Sequence, residues 1–223
     1  METTGFKDAK RKQTSFLAPI EKIVLIWLVG RMPARLNPDH LSLIGLIAMI
    51  TAGLFYYLSK WNPLFFHLVN ISLIINWFGD SMDGTLARYR NKQRPRYGFY
   101  VDHIIDAFGT LFLIGGLALS GYMTERIALI MLIIYFMLSI NSYLATYALG
   151  TFSISFWKFS PTELRLLLGI GNIALIYHPH PRIMGQTYLL YDIGGIIGIA
   201  GMSLILIVSA VRNTKRLYRL ERV

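Results

Sequence analysis

The 223-residue chain contains no cysteine and few acids, 12 Asp and Glu against 22 Lys and Arg, and its charged residues make up only 15% of the total. Each shortage excludes something. Without cysteine there is no disulfide framework, no thiolate-ligated zinc and no iron–sulfur cluster, so any metal must sit on oxygen or histidine. So little charge, together with a mean hydropathy of +0.49, excludes disorder, collagen and coiled coil, and it is the composition of a membrane protein. The scarce acids become the informative residue type.

What the chain does have is long apolar runs. Those at Leu41–Leu58, Leu64–Gly79, Ala107–Met123, Ile127–Leu149, Leu164–Tyr177 and Leu189–Val211 approach or exceed the length that crosses a hydrocarbon layer of about 30 Å. They predict an all-α membrane protein, a bundle of six transmembrane helices with no room for a soluble domain. The fifth run is the shortest and becomes a full span only if its helix starts near Ser160. No secretory signal peptide is evident, because Ile23–Val29 is short and no small-residue cleavage site follows. Ahead of the first run, Phe16, Ile20, Ile23, Val24, Trp27 and Arg31 fall at helical spacing, with Lys22 and Gln13 on other faces. That pattern predicts an interfacial amphipathic helix rather than a seventh span. Asn37-Pro38-Asp39-His40 then turns the chain and caps the first span. The expected organisation is an N-terminal segment at 1–40, a six-span domain at 41–211 and a basic tail at 212–223.

Charge sets the orientation. With a cytoplasmic N-terminus, 19 cations lie on the inner side and only Lys60, Arg126 and Arg182 on the outer, so the positive-inside rule places both termini in the cytoplasm. The net charge of +10 is then a topology signal, with the Arg212–Arg222 run as an inner-leaflet anchor, rather than the mark of a nucleic-acid partner.

Acids are expensive in a membrane, at roughly 2.5–3.5 kcal/mol for each Asp at a helix centre. Yet four of the 12 lie between 80 and 106. Steps of three and four residues place Asp80, Asp83, Gly84 and Ala87 on one face at the cytoplasmic end of the second span. Asp102 and Asp106 are one turn apart at the start of the third. The basic turn between the spans, Tyr89–Tyr97, lets the two helices run antiparallel and brings both carboxylate pairs to the same depth. Four carboxylates in a partly desolvated site need a counter-charge, and one or two hard divalent cations supply it. Oxygen donors with no His or Cys in the set suit Mg²⁺ or Mn²⁺ rather than zinc. Gly84, Ala87 and Gly98 give helix faces without bulk, and Arg88 offers a fork for phosphate oxygens.

Asp80-x-x-Asp83-Gly84-x-x-Ala87-Arg88, nine residues, Gly98-x-x-x-Asp102-x-x-x-Asp106 resembles the signature of the CDP-alcohol phosphotransferase family of integral membrane enzymes. Eight fixed positions at typical residue frequencies match by chance about 10⁻⁹ times per starting point. The resemblance implies that the substituted phosphate of a CDP-alcohol passes to a second alcohol with release of CMP, usually making a phospholipid. It implies Asp80, Asp83 and Asp102 as the principal metal ligands, and Asp106 as the general base, which also touches a metal. Gly84, Ala87, Arg88 and Gly98 would line the CDP site. The compact six-span size resembles that of bacterial and archaeal phosphatidyltransferases, which favours CDP-diacylglycerol with an acceptor such as glycerol phosphate, inositol phosphate or serine. The alternative is a soluble CDP-aminoalcohol with a lipid acceptor.

Weaker signals carry two readings each. Asn76 can orient a ligand carboxylate or make an interhelical hydrogen bond. His40 and Ser42 can meet nucleotide or cap the first span, and capping is favoured. His103 can tune Asp106 or simply face the cytoplasm. Glu163 is favoured as part of a capping box with Ser160 and Pro161 over an acceptor-site role. Lys158 and Arg165 can hold a phosphorylated acceptor or bind anionic lipid. Ser139, Ser142, Tyr143 and Thr146 form a polar stripe that can border the acceptor pocket or serve helix packing, and packing is favoured; Gly194 and Gly198 form a GxxxG suited to close packing within a subunit or in a homodimer. A divalent-cation transporter is the rival of another class. It would favour midplane acids and repeated halves, which this sequence lacks.

Overall fold

The computed structural model describes residues 17–149, 161–183 and 185–221. Its helices are α1 (Ala18–Val29), α2 (Pro38–Leu58), α3 (Phe65–Tyr89), α4 (Pro95–Leu119), α5 (Glu125–Leu149), α6 (Pro161–Tyr177) and α7 (Leu190–Leu220), and a small antiparallel hairpin, β1 (Arg182–Ile183) with β2 (Gln186–Thr187), precedes α7. Proline opens α2, α4 and α6, where its missing N–H is one the helix leaves unpaired anyway. The expected turn before α2 is present, with the Asn37 N–H donating to His40 Nδ1 at 3.3 Å. At the other end of the bundle the Asp192 carboxylate caps α5, accepting from Thr124 N at 2.7 Å and Thr124 Oγ1 at 2.6 Å.

Among the described residues, four helices are long and apolar enough to cross a membrane: α2, α4, α5 and α7. The other two expected spans fall short for different reasons. Helix α6 has only 17 residues, while α3 has 25 but carries Asn70, Asn76, Asp80, Asp83 and Arg88. Both nevertheless pack as full members of the bundle. Contacts run in a closed circuit from α2 to α4, α5, α7, α6, α3 and back to α2, with the α6–α7 contact the slightest.

Helix α2 is the keystone of this circuit. The sequence predicts α3 and α4 as antiparallel neighbours, but they do not pack along one another, and both lie against α2 instead. Small residues make this possible. A Cβ on Gly79 of α3 would come within 2.6 Å of the Leu41 carbonyl oxygen and 2.8 Å of Gly45 N on α2. On the other side, Gly53 of α2 meets the α4 backbone at Phe112, and a Cβ on Gly116 of α4 would fall onto the Gly53 carbonyl. The GxxxG of α7 behaves differently from its expected role within the chain. Gly194 faces open space and Gly198 meets only Met131 Sδ at 4.0 Å, whereas Gly195 is the glycine packed against Met123 and Ile127. Within the polar stripe of α5, Ser139, Ser142 and Thr146 donate to carbonyls of their own helix. Across the bundle from this region, Asn141 donates to Ser209 Oγ of α7 at 3.0 Å, and Tyr143 packs against His103 of α4.

The main core sits at the end of the bundle where α2 finishes and α3 begins. It joins Ala52, Tyr56, Phe66, Val69, Leu113, Leu117, Met123, Ala128, Leu175 and Tyr191. A second cluster, Leu25, Val29, Leu41, Met82 and Leu86, ties α1 to α2 and α3. Helix α1 presents Ile20, Ile23, Val24 and Trp27 outward, as the expected apolar stripe requires, while Phe16 lies outside the described residues. Its opposite side is not a water-facing polar surface, since Glu21, Leu25 and Val29 are buried against the bundle. Helix α7 continues unbroken through Arg212, Lys215, Arg216 and Arg219, so the basic tail begins as an extension of the last helix.

Candidate active site

The acids of α3 and α4 meet at the end of the bundle where α2 and α6 begin. Helix α3 stays regular through Arg88 and therefore carries Asp80, Asp83, Gly84 and Ala87 in helical register. The chain then turns through Asn91, a residue with φ of 53°, and α4 starts at Pro95 to bring up Gly98, Asp102 and Asp106. Three arginines organise this turn. Arg90 donates to the carbonyls of Met32, Pro33 and Leu36 and so pins the α1–α2 loop. Arg94 pairs with Asp39, which holds its guanidinium above the ordinary value, and stacks on Tyr97. Arg88 is exposed and donates to Thr85 Oγ1 at 3.2 Å. Its guanidinium folds back over Gly84, where a Cβ would lie 3.3 Å from Nη1, so the glycine leaves room for the arginine.

Asp80 and Asp83 have hydrogen-bond donors that balance them. Asp80 Oδ2 accepts from Arg165 Nη2 at 2.7 Å, and the two side chains are only 27% and 14% exposed. Asp83 Oδ2 accepts from Ser42 Oγ at 2.5 Å, and its Oδ1 accepts from the backbone N–H of Gly84. Asp106 lies within electrostatic reach of Asp80, Asp102, Arg165 and Asp83. Tyr135 and Tyr143 of α5 come close enough to interact with Asp106 in turn. Thus the four acids converge although their two helices do not pack together.

The weaker candidates separate clearly. Asn76 makes the interhelical bond, donating from Nδ2 to the Gly45 carbonyl at 3.0 Å, while its Oδ1 is buried with no hydrogen-bond partner among the described residues. His103 shares a hydrogen with the Phe99 carbonyl at 2.6 Å and stacks between Phe99 and Tyr143, so its ring serves the α4–α5 contact. Gly98 is exposed, with no atom within 4 Å of where its Cβ would be. Glu163 is buried, and its Oε1 accepts from Leu17 N at 3.2 Å, which ties α6 to α1. Lys158 and Ser160 lie outside the described residues. Two residues gain importance. Ser42 sits on a carboxylate rather than only in a cap, and Arg165 sits on Asp80 rather than facing lipid.

A sequence profile of the CDP-alcohol phosphatidyltransferase family matches residues 35–209, most of the chain and all of the acidic site. The chain belongs to this family. It is also 30% identical over 123 residues to the archaetidylinositol phosphate synthase of Pyrococcus horikoshii, a match that covers 54% of this chain and 59% of that relative. Members of the CDP-alcohol phosphatidyltransferase family are membrane-bound transferases of phospholipid synthesis, and the apolar helices described above agree with that setting.

The site's chemistry suits a hard divalent cation, because its donors are carboxylate oxygens with a serine hydroxyl beside them. Among the described residues, no three His, Asp or Glu side chains stand in a ready-made metal-holding arrangement. Arg165 and Ser42 instead satisfy the Asp80 and Asp83 oxygens.

Proposed function

We propose that this chain transfers the substituted phosphate of a CDP-alcohol, with CDP-diacylglycerol as the favoured donor, to an acceptor alcohol and releases CMP. The reading rests on one observation above the others: Asp106 lies within electrostatic reach of Asp80, Asp83 and Asp102 at one end of the bundle, inside the stretch that matches the family. The archaetidylinositol phosphate synthase of Pyrococcus horikoshii, as a relative, supports a phosphorylated polyol such as inositol phosphate as the first acceptor to test.

Asp80, Asp83, Asp102 and Asp106 would hold one or two Mg²⁺ or Mn²⁺ ions, which when bound neutralise a pyrophosphate and stabilise the departing CMP. Asp106 accepts the proton of the acceptor hydroxyl as that oxygen bonds to the β-phosphorus, and the bond from β-phosphorus to the CMP phosphate oxygen breaks. The Arg88 guanidinium and the bare faces at Gly84, Ala87 and Gly98 receive the nucleotide. Ser42 holds the Asp83 carboxylate in orientation, and Arg165 stands beside Asp80, where it can meet a phosphate of the acceptor.

The topology is part of the same reading. All six of α2–α7 cross the bilayer, both termini and the acidic end face the cytoplasm, and α1 lies at the interface. Two properties of α3 and α6 support six spans: both pack fully into the circuit, and the polar residues of α3 are turned to protein partners such as Gly45 and Gly169. A bacterial or archaeal cell membrane suits a chain of this size.

The test is metal-dependent CMP release by purified protein across a panel of CDP-alcohols and acceptors. The reading expects release with CDP-diacylglycerol and its loss in Asp106→Asn. If only soluble CDP-aminoalcohols yield CMP, the donor and acceptor roles are exchanged. Were no CDP-alcohol to yield CMP while proteoliposomes took up divalent metal through Asp80, the transporter reading would replace this one.

A further inference from the structure

Glu21 is an acid that the signature does not include and that the amphipathic reading of α1 would leave in water. It is instead 9% exposed, and its Oε1 accepts three hydrogen bonds: from Trp77 Nε1 at 2.9 Å, Ser81 Oγ at 2.9 Å and Thr162 Oγ1 at 3.1 Å. The first two donors are on α3, one turn apart, and the third is the second residue of α6. The same two helices carry the Asp80–Arg165 pair. Ser81 follows Asp80 directly, and Thr162 precedes Arg165 by one turn. Helices α3 and α6 are therefore pinned twice at this end, once by the pair that faces the acidic site and once through a carboxylate supplied by α1.

The rest of Glu21 is not built as an ordinary anchor. Its Oε2 is buried with no hydrogen-bond partner among the described residues. An anchor for α1 alone would need only the α3 donors, and the apolar contacts of Leu25 and Val29 already fix α1 there. The added bond to Thr162 gives Glu21 a purpose that packing does not supply.

We propose that Glu21 is a positioning residue that holds the start of α6 on α3 and thereby sets Arg165 against Asp80; its importance for turnover rests on the proposed function. Because the chain has no cysteine, the spacing can be read directly with spin labels at Tyr89→Cys on α3 and Leu164→Cys on α6, both exposed sites, in the full-length protein. Thr162→Val, which removes only the α6 donor, is expected to broaden or shift the interspin distance. Glu21→Ala is expected to do the same, while Glu21→Gln, which keeps an oxygen acceptor, restores the native distribution. Leu25→Ala loosens α1 without touching the polar link and is expected to leave the distance unchanged, which separates positioning from general packing. CMP release should fall about tenfold in Thr162→Val and Glu21→Ala and recover in Glu21→Gln.

A native distance distribution in folded Thr162→Val overturns the proposal, even if Glu21→Ala is altered, since Glu21 would then serve α1 alone. An equal shift in Leu25→Ala also overturns it. If the unsubstituted protein releases no CMP, the functional reading fails while the distance measurements still decide the role of Glu21.

Discussion

The two ends of the helix bundle are built on opposite principles. At the end remote from the acids, side chains close the space completely. Tyr56 is fully buried, and its hydroxyl donates to Asn172 Oδ1 at 2.8 Å. Tyr191 donates to the same oxygen at 2.5 Å, and Asn172 Nδ2 donates to Asn70 Oδ1 at 2.7 Å. Four helices thus share one polar network surrounded by apolar core, where each partner removed leaves another group unsatisfied. At the acidic end α4 has no buried residue before Gly109, and α5 has none after Leu132. The polar groups there are carboxylates balanced by an arginine and a serine rather than by dense packing. The remote end is closed by core, while the acidic end is packed on its α1–α2–α3 side by Leu25, Val29, Leu41, Met82 and Leu86 and stays open for chemistry on its α4–α5 side.

This contrast can be broken by substitution. The largest effect is expected from Asp106→Asn, with CMP release falling about 10²–10⁴-fold, as for loss of a general base. Thermal unfolding in detergent should show no loss of stability, because the change removes one of four mutually repelling acids. If the variant instead unfolds while the remaining folded protein turns over normally, the acidic end is structural. Asn172→Ala should do the reverse, lowering stability by about 2 kcal/mol through the orphaned tyrosine hydroxyls while turnover per folded molecule stays near normal. A smaller effect, about tenfold in turnover or in metal affinity, is expected for Ser42→Ala, which releases the Asp83 carboxylate. Isothermal titration with Mn²⁺ alongside CMP assays reads both quantities. Gly194→Ala should change neither stability nor turnover of the monomer, staying within about 0.5 kcal/mol, since none of the described residues approaches that position. A marked change in oligomeric state on size-exclusion chromatography would show a second copy packed there.

Much of the acidic end was legible in the sequence because acids are rare in apolar helices and their spacing follows helical periodicity. Asp80, Asp83, Asp102 and Asp106 therefore stand out by type and spacing alone. Their neighbours do not. Ser42 looked like a cap because it opens a helix, and nothing local reveals that α2 leans on α3 at that level. Arg165 reads in the sequence as a cation for a phosphorylated acceptor or for anionic lipid, and its carboxylate partner is hidden because it is 85 positions away. Glu21 was hidden by an apolar stripe that gave α1 an apparently simple reading. The glycines misled in a similar way: the spacing of Gly194 and Gly198 is conspicuous, yet Gly195 is the packed one, and the decisive contacts belong to Gly53, Gly79 and Gly116. Periodicity locates a face, but it does not name what covers it.

The position of α2 gives those last glycines a further meaning. Since α3 and α4 each pack on α2 rather than along one another, the two carboxylate pairs take their relative position from two separate crossings on that helix. These crossings are tightest where backbone meets backbone, at Gly79 against Leu41 and Gly45, and at Gly53 against Phe112 and Gly116. A methyl group added at Gly79, Gly53 or Gly116 would meet backbone, so the crossing must shift although no acid is altered. The spacing of the acidic site is thus adjustable from within the apolar part of the bundle, by residues that never touch a substrate.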